Sequence, residues 1–238
     1  MASLQRNISS LLLASPVIAV LSAFIILPIF LITAVSFWGA SEFSIYPAFL
    51  FDNYEFLFTS EVTYRVFFRT LYFAFLVWLI TLVIGFTVAY YLAFFVNSLT
   101  WQIICFLLCT IPFWTSNIIR MISWIPFLGR NGLANQSLIE LGIVNEPVEW
   151  LLYSEFSVCL AFVHLYTLFM VVPIFNTMMR IDKSLIEAAR DAGASSVQIL
   201  VNVIIPLCKP GLMIGSIFVV ALVMGDFITV RFMSGSQI

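Results

Sequence analysis

Two ionisable side chains stand alone in stretches that otherwise carry no charge: Arg120, between Arg69 and Arg130, and Asp226, between Lys209 and Arg231. An ionised group at mid-membrane costs about 2.5–3.5 kcal/mol on insertion scales, so such residues face a bundle interior or a water-filled path. Asp226 can line a passage and attract a cationic amine; it can equally form a structural ion pair with Arg120. Trp114, Thr115 and Asn117 follow Pro112. Proline frees a backbone carbonyl in the preceding turn, and neighbouring hydroxyls can re-satisfy it. A kinked, partly polar helix suits a gated passage as well as ordinary membrane-helix packing, and the face of Trp114 offers cation–π attraction to an ammonium. Catalytic and metal chemistry find no residues to carry them. One histidine, His164, and four cysteines in apolar stretches (Cys105, Cys109, Cys159, Cys208) make no His/Cys metal set and no disulfide framework.

These residues are embedded in an extreme composition. Of 238 residues, 63% are apolar and 9% charged, against roughly 45–50% and 25% in ordinary soluble proteins. Mean hydropathy is +1.11. Water cannot solvate such a surface, which excludes a soluble enzyme, a nucleic-acid binder and a disordered chain, and implies an integral membrane protein. The 25 Phe, 8 Tyr and 6 Trp suit lipid contact and interfacial belts. A net charge of -2 names no partner.

A crossing helix needs ~20 mostly apolar residues. The uncharged runs predict an all-α, polytopic helical bundle in one transmembrane domain over 1–238, with five spans: about 11–38, 70–96, 101–127, 156–179 and 210–230. The polar break Asn97-Ser98-Leu99-Thr100 divides a fifty-residue uncharged run that is too long for one crossing. The charge-free region from Asn7 to Ser41 exceeds a signal-peptide core of about 7–15 residues and reads as a retained span. With the N-terminus inside, Arg6, Arg180, Lys183, Arg190 and Lys209 are cytoplasmic, against Arg65, Arg69, Arg130 and Arg231 outside, a weak positive-inside bias. The acidic residues Glu42, Asp52, Glu55, Glu61, Glu140, Glu146, Glu149 and Glu155 then lie outside. Five spans leave the loop-like stretch Met233-Ser234-Gly235-Ser236-Gln237 and Ile238 directly after the last crossing. The chain therefore looks cut short.

The loop over 180–209 is the most informative segment. Ser184 and Glu187 have capping-box spacing, and Gly193 can take the left-handed position that stops a helix, which predicts a helix of about nine residues. So short a helix needs a docking surface. One side carries Leu185, Ala188, Ala189 and Ala192, and Glu187, Arg190 and Asp191 form a charged rim. Such a knob suits a groove on a partner, or a loop folded back on its own bundle. A second helix, about 195–204, runs into Pro206, which is expected to interrupt it before the last span. In that span Gly211-x-x-x-Gly215 allows close helix contact, within the bundle or against a partner helix. His164 reads as a bundle-facing hydrogen-bonding group.

Glu187-Ala188-Ala189, then Gly193, then Val203-Ile204-Ile205-Pro206 resembles the EAA motif of ABC-importer permease subunits. Ile111-Pro112-Phe113-Trp114-Thr115-Ser116, Arg120, Trp124, Leu128-Gly129-Arg130-Asn131-Gly132, Asn145-Glu146-Pro147 and Gly225-Asp226-Phe227 resemble the spermidine/putrescine type. The resemblance implies that Glu187, Ala188, Ala189, Arg190, Asp191 and Gly193 belong to a coupling helix seated in a cytoplasmic ATPase. It makes Asp226, Phe227, Trp114, Thr115, Asn117 and Arg120 the candidate substrate path, and it implies a sixth span that this chain does not show. It also implies a bacterial inner-membrane complex with a second permease of different sequence, an ABC ATPase dimer and a periplasmic binding protein docking on loops 39–65 and 129–155. No G-x-x-x-x-G-K-[ST] sequence occurs here, so ATP and Mg are expected on the ATPase partner. Where the type has proline after Asp226-Phe227-Ile228-Thr229, this chain has Val230 and Arg231. A cation at the outer mouth leaves room for an acidic or zwitterionic substrate, such as an opine or aminophosphonate, instead of a polyamine. The alternatives outside this class are an ion-gradient-driven secondary transporter, which usually shows inverted repeats, and a non-transporting assembly subunit.

Overall fold

A computed structural model describes residues 13–41 and 44–235. The expected start of the first span at Leu11, the charges of Arg6 and Glu42, and Ser236, Gln237 and Ile238 lie outside the described residues. The described residues are all-α apart from one two-residue strand pair, Gly39–Ala40 with Ile45–Tyr46, antiparallel and in register Gly39↔Tyr46. Two compact units divide between Phe67 and Phe68.

In the first unit, the apolar helix Leu13–Val35 has none of its span buried within the chain. Its Ser22–Ile26 turn is a π-turn, in which the Leu27 N–H reaches the Ser22 carbonyl just before Pro28. After it, the Phe37 ring stacks on Phe49 at 4.9 Å and meets Phe51 edge-on at 5.5 Å. The Asn53 side-chain amide donates to the carbonyls of Ser36 (2.9 Å) and Trp38 (3.0 Å), fixing the short Asp52–Thr59 helix.

The second unit is organised on two helices, Glu155–Met178 and Ser196–Gly225. Gly211 lets the second helix lie against the Pro173 carbonyl and the Thr177 side chain; Gly215 meets Met170. The small-residue pair is thus used inside the chain. Glu61–Phe94 packs on the same pair through Gly85 against Met170 and through the Trp78 indole N–H, which donates to Ser216 Oγ at 2.8 Å. At 34 residues and about 1.5 Å per residue, this helix is far longer than a ~30 Å hydrocarbon core and projects beyond it. The expected break after it is present: the buried Gln102 amide of the Leu99–Thr110 helix donates back to the Leu92 carbonyl at 2.7 Å.

Two expectations are corrected. The third span is broken: Leu99–Trp114 and Asn117–Glu140 meet at 89°, so the described residues hold four long apolar helices, or five spans if the bent pair counts as one. Pro112 sits in the tight turn Ile111–Trp114, and the chain leaves the helix as extended backbone at Thr115 and Ser116. The Pro112 carbonyl accepts from the Thr115 N–H at 3.3 Å and the Thr115 hydroxyl at 2.8 Å, so it is satisfied where the helix ends; the carbonyl that the missing Pro112 N–H frees lies in the preceding turn. Pro206, by contrast, does not stop its helix, which runs unbroken from Ser196 to Gly225. Leu200–Ile204 widens into a π-turn, and the Ile205 N–H reaches back five residues to Leu200. The same device precedes Pro28. In each case the wider turn lies just ahead of the residue that lacks an N–H and would crowd the preceding carbonyl.

A Cβ added at Gly211 meets backbone at Pro173, whereas one at Gly85 meets first the flexible Met170 side chain. Gly211→Ala is therefore expected to destabilise by about 1–3 kcal/mol and Gly85→Ala by less, read as the difference in Tm of the purified protein. Equal losses would show that the Pro173 approach is not the tight one.

Candidate functional site

The first candidate site is the helix Lys183–Asp191, between the two long helices in sequence. Its N-cap is Asp182 and not Ser184: the Asp182 carboxylate accepts the Ser184 backbone N–H at 2.9 Å. A charged oxygen two residues earlier is the better acceptor for the exposed N–H groups. These hydrogen bonds hold the Asp182 carboxyl below its ordinary range. Gly193 has φ +83°, its N–H reaches the Arg190 carbonyl, and the Ala194 N–H reaches Ala189, which closes the helix with a left-handed stop. Ile186 and Ala189 are half-buried against the core. Leu185, Ala188 and Ala192 are exposed, as are Glu187, Arg190 and Asp191. Ala189 thus belongs to the inner side, and the free apolar face is Leu185, Ala188 and Ala192.

The second site is where the Ser196–Gly225 helix ends. Asp226 breaks it and caps the next, Phe227–Met233. One carboxylate oxygen accepts the Thr229 N–H at 3.0 Å; the other accepts the Tyr166 hydroxyl at 2.6 Å and the Thr229 hydroxyl at 2.5 Å. The Asp226-x-x-Thr229 spacing of a cap is legible in the sequence; Tyr166, sixty residues from Asp226, is not. Asn117, Tyr166, Asp226 and Thr229 line a cavity of about 300 Å³ with apolar walls. A second cavity, about 570 Å³, is lined by Asp226, Phe227 and Arg231 among others.

Arg120 does not pair with Asp226: among the described residues the ion pairs are Arg65–Glu61, Arg69–Glu155 and Arg130–Glu149. Its guanidinium is buried and donates to Asn117 Oδ1, while its Nε and Nη1 have no partner. Trp114, 88% exposed, and Thr115, bonded to Pro112, line neither cavity. His164 is exposed and accepts from the Trp124 indole at 3.1 Å. A further residue invisible to sequence reasoning is Asn135: fully buried, it exchanges two hydrogen bonds with the Val148 backbone (2.7 and 3.2 Å) and donates to Gly129 (3.0 Å), pinning the 129–148 loop.

Open cavities that set Asn117, Tyr166 and Asp226 among apolar spanning helices suit a membrane transport subunit. Comparison narrows the class. No family model matches. The chain is 33% identical over 215 residues to the spermidine/putrescine transport system permease protein PotB of Escherichia coli (strain K12), covering 90% of this chain and 77% of the relative. It is 32% identical over 219 residues to the protein of that name from Haemophilus influenzae, covering 90% and 74%. It is 29% identical over 197 residues to the inner membrane ABC transporter permease protein YdcU of Escherichia coli, covering 78% and 62%. The chain belongs to the spermidine/putrescine-type family of ABC-importer permease subunits, multi-pass proteins of the inner membrane.

Two outcomes follow from the capping geometry. Tyr166→Phe removes one donor to a carboxylate and is expected to cost about 1.5–3 kcal/mol, measurable as a fall in Tm; no change would mean that the Tyr166 bond contributes nothing. Because Asp182 is held low, its cap is complete above the usual carboxylate range and is lost as pH falls through the lowered value. Amide exchange over 183–185, corrected for intrinsic rates, should lose protection only on that acid side, and should lose it at neutral pH in Asp182→Ala.

Proposed function

We propose that this chain forms part of the translocation path of an ATP-driven importer for a polyamine such as putrescine or spermidine. The observation that carries the energy-coupling half is the free apolar face of Leu185, Ala188 and Ala192 on a helix capped at both ends. Nine residues do not hold a helix in water by themselves. Here caps and two inward side chains hold it while the opposite face stays uncovered, which suits insertion into a cleft of an ABC ATPase. ATP and Mg are bound by that ATPase dimer. A second permease subunit of different sequence completes the path, and a periplasmic binding protein delivers substrate to the outer loops. ATP-driven closure of the ATPases moves the Glu187–Gly193 segment and switches the bundle between two packings.

The relatives' names and the lone carboxylate of Asp226 support the polyamine reading. Its Oδ1 accepts a single backbone N–H, which leaves that oxygen room for an ammonium. Asn117 borders the same cavity, and Phe227 sits beside Asp226 at the other. Arg231 at that second cavity favours one other reading, a substrate with both charges, such as an aminophosphonate or opine.

Ala188→Arg is expected to lower ATPase co-purification and uptake about tenfold or more, since ~1.4 kcal/mol lost at the contact is already tenfold. Asp226→Asn is expected to keep the ATPase bound while labelled putrescine uptake falls. An ATPase that stays bound to the Ala188→Arg protein contradicts the coupling assignment; undiminished uptake by Asp226→Asn contradicts the path assignment. Competition by excess 2-aminoethylphosphonate, without competition by spermidine, would select the second reading.

A further inference from the structure

On the coupling helix, opposite the free alanine face, Lys183, Ile186, Glu187 and Arg190 turn toward a groove. Successive residues advance ~100° around a helix, which puts these four on one side and Leu185, Ala188 and Ala192 on the other. The groove has a volume of about 560 Å³ and is walled by Tyr90 and Phe94 of the Glu61–Phe94 helix and by Ile204. Its charges are two cations and one carboxylate, and among the described residues none of the three is in an ion pair.

A second groove continues the same seam. It has a volume of about 370 Å³, and its lining is apolar but for Thr87: Leu82, Val83, Phe86, Ile205 and Leu212. The two are joined on one wall by the Phe86 and Tyr90 rings, stacked at 6.1 Å, and on the other by the consecutive Ile204 and Ile205. Leu82, Phe86, Tyr90 and Phe94 form one half-buried stripe at four-residue spacing. From Leu82 to Phe94 the stripe runs about 18 Å at 1.5 Å per residue, which matches one leaflet, half of a ~30 Å hydrocarbon core.

We propose that this seam binds one glycerophospholipid whose head carries a phosphate and a primary ammonium, phosphatidylethanolamine. Lys183 and Arg190 take the phosphate, Glu187 takes the ammonium, and one acyl chain lies along Phe86, Val83 and Leu212. Aromatic side chains at Tyr90 and Phe94 suit the depth where head meets chain, and basic grooves between spanning helices are where phospholipid phosphates bind. The lipid thereby props the coupling helix from behind and leaves its alanine face free.

The test uses the detergent-solubilised complex as purified from cells, stripped of lipid and titrated with acyl-labelled phosphatidylethanolamine, phosphatidylglycerol or phosphatidylcholine. Wild type is expected to retain the ethanolamine lipid about fivefold better than either of the others, and Lys183→Gln/Arg190→Gln is expected to lower that retention about 25-fold, since each of the two cations near a lipid head is worth about fivefold. Glu187→Gln should erase the preference over phosphatidylglycerol. Val83→Trp, a change at an exposed position, should displace the lipid with all charges intact, and it keeps the test decisive if the charge variants do not assemble. Equal retention of the three lipids by wild type, a preference for phosphatidylglycerol, or retention unmoved by Val83→Trp overturns the proposal. Lipid retention is read without transport, and Val83→Trp leaves every residue of the coupling helix in place.

Discussion

The close approach of Glu155–Met178 and Ser196–Gly225 at Gly211 and Gly215 is the contact on which the rest depends. Midway along the first helix Tyr166 reaches Asp226, where the second helix breaks. From the end of the first helix the chain runs through the capped helix Lys183–Asp191 before returning as Ser196–Gly225. From Tyr166 to Met178 is about 18 Å of helix at 1.5 Å per residue. A tightly packed pair transmits displacement instead of absorbing it. Bulk at Gly211 would therefore disturb the polar cavity and the coupling segment together, although neither contains that residue.

Arg120 and Asp226 are accommodated by hydroxyls and amides instead of by each other. Asp226 is satisfied as a helix cap, with three donors from Tyr166 and Thr229. A carboxylate held this way fixes the break in the span and still borders open volume on two sides. Arg120 is held by Asn117 alone and keeps two buried nitrogens without partners. Breaks in the spans therefore coincide with polar groups: Thr115 at one and Asp226 at the other. Irregular backbone at membrane depth is tolerated where side chains or a cavity satisfy it.

Much of this was legible in the sequence, for identifiable reasons. Uncharged runs of about 25 residues have one stable outcome in lipid, so the helical spans could be read from charge alone. Gly193 was legible because few residues but glycine tolerate the left-handed stop. What the one-dimensional pattern lacks is partner choice. Ser184 and Asp182 are both good caps, and selection between them rests on where the chain enters the helix. Pro206 is a helix breaker on propensity, but a preceding π-turn lets the helix continue. Arg120 and Asp226 looked like partners because both are charged and of similar depth; Tyr166, sixty residues from Asp226, takes that place. Asn135 makes contacts with a loop thirteen residues on, and no spacing rule announces them.

The central claim is that the alanine face of a short capped helix, and not its charged face, meets the motor. Single cysteines placed at Ala188 and, separately, at Lys183 can be labelled with a water-soluble maleimide in the assembled complex and again after the ATPase is removed. The account predicts that Ala188→Cys is shielded in the complex and becomes reactive on removal, while Lys183→Cys changes little. Equal reactivity of Ala188→Cys with and without the ATPase, or shielding confined to Lys183→Cys, would contradict it.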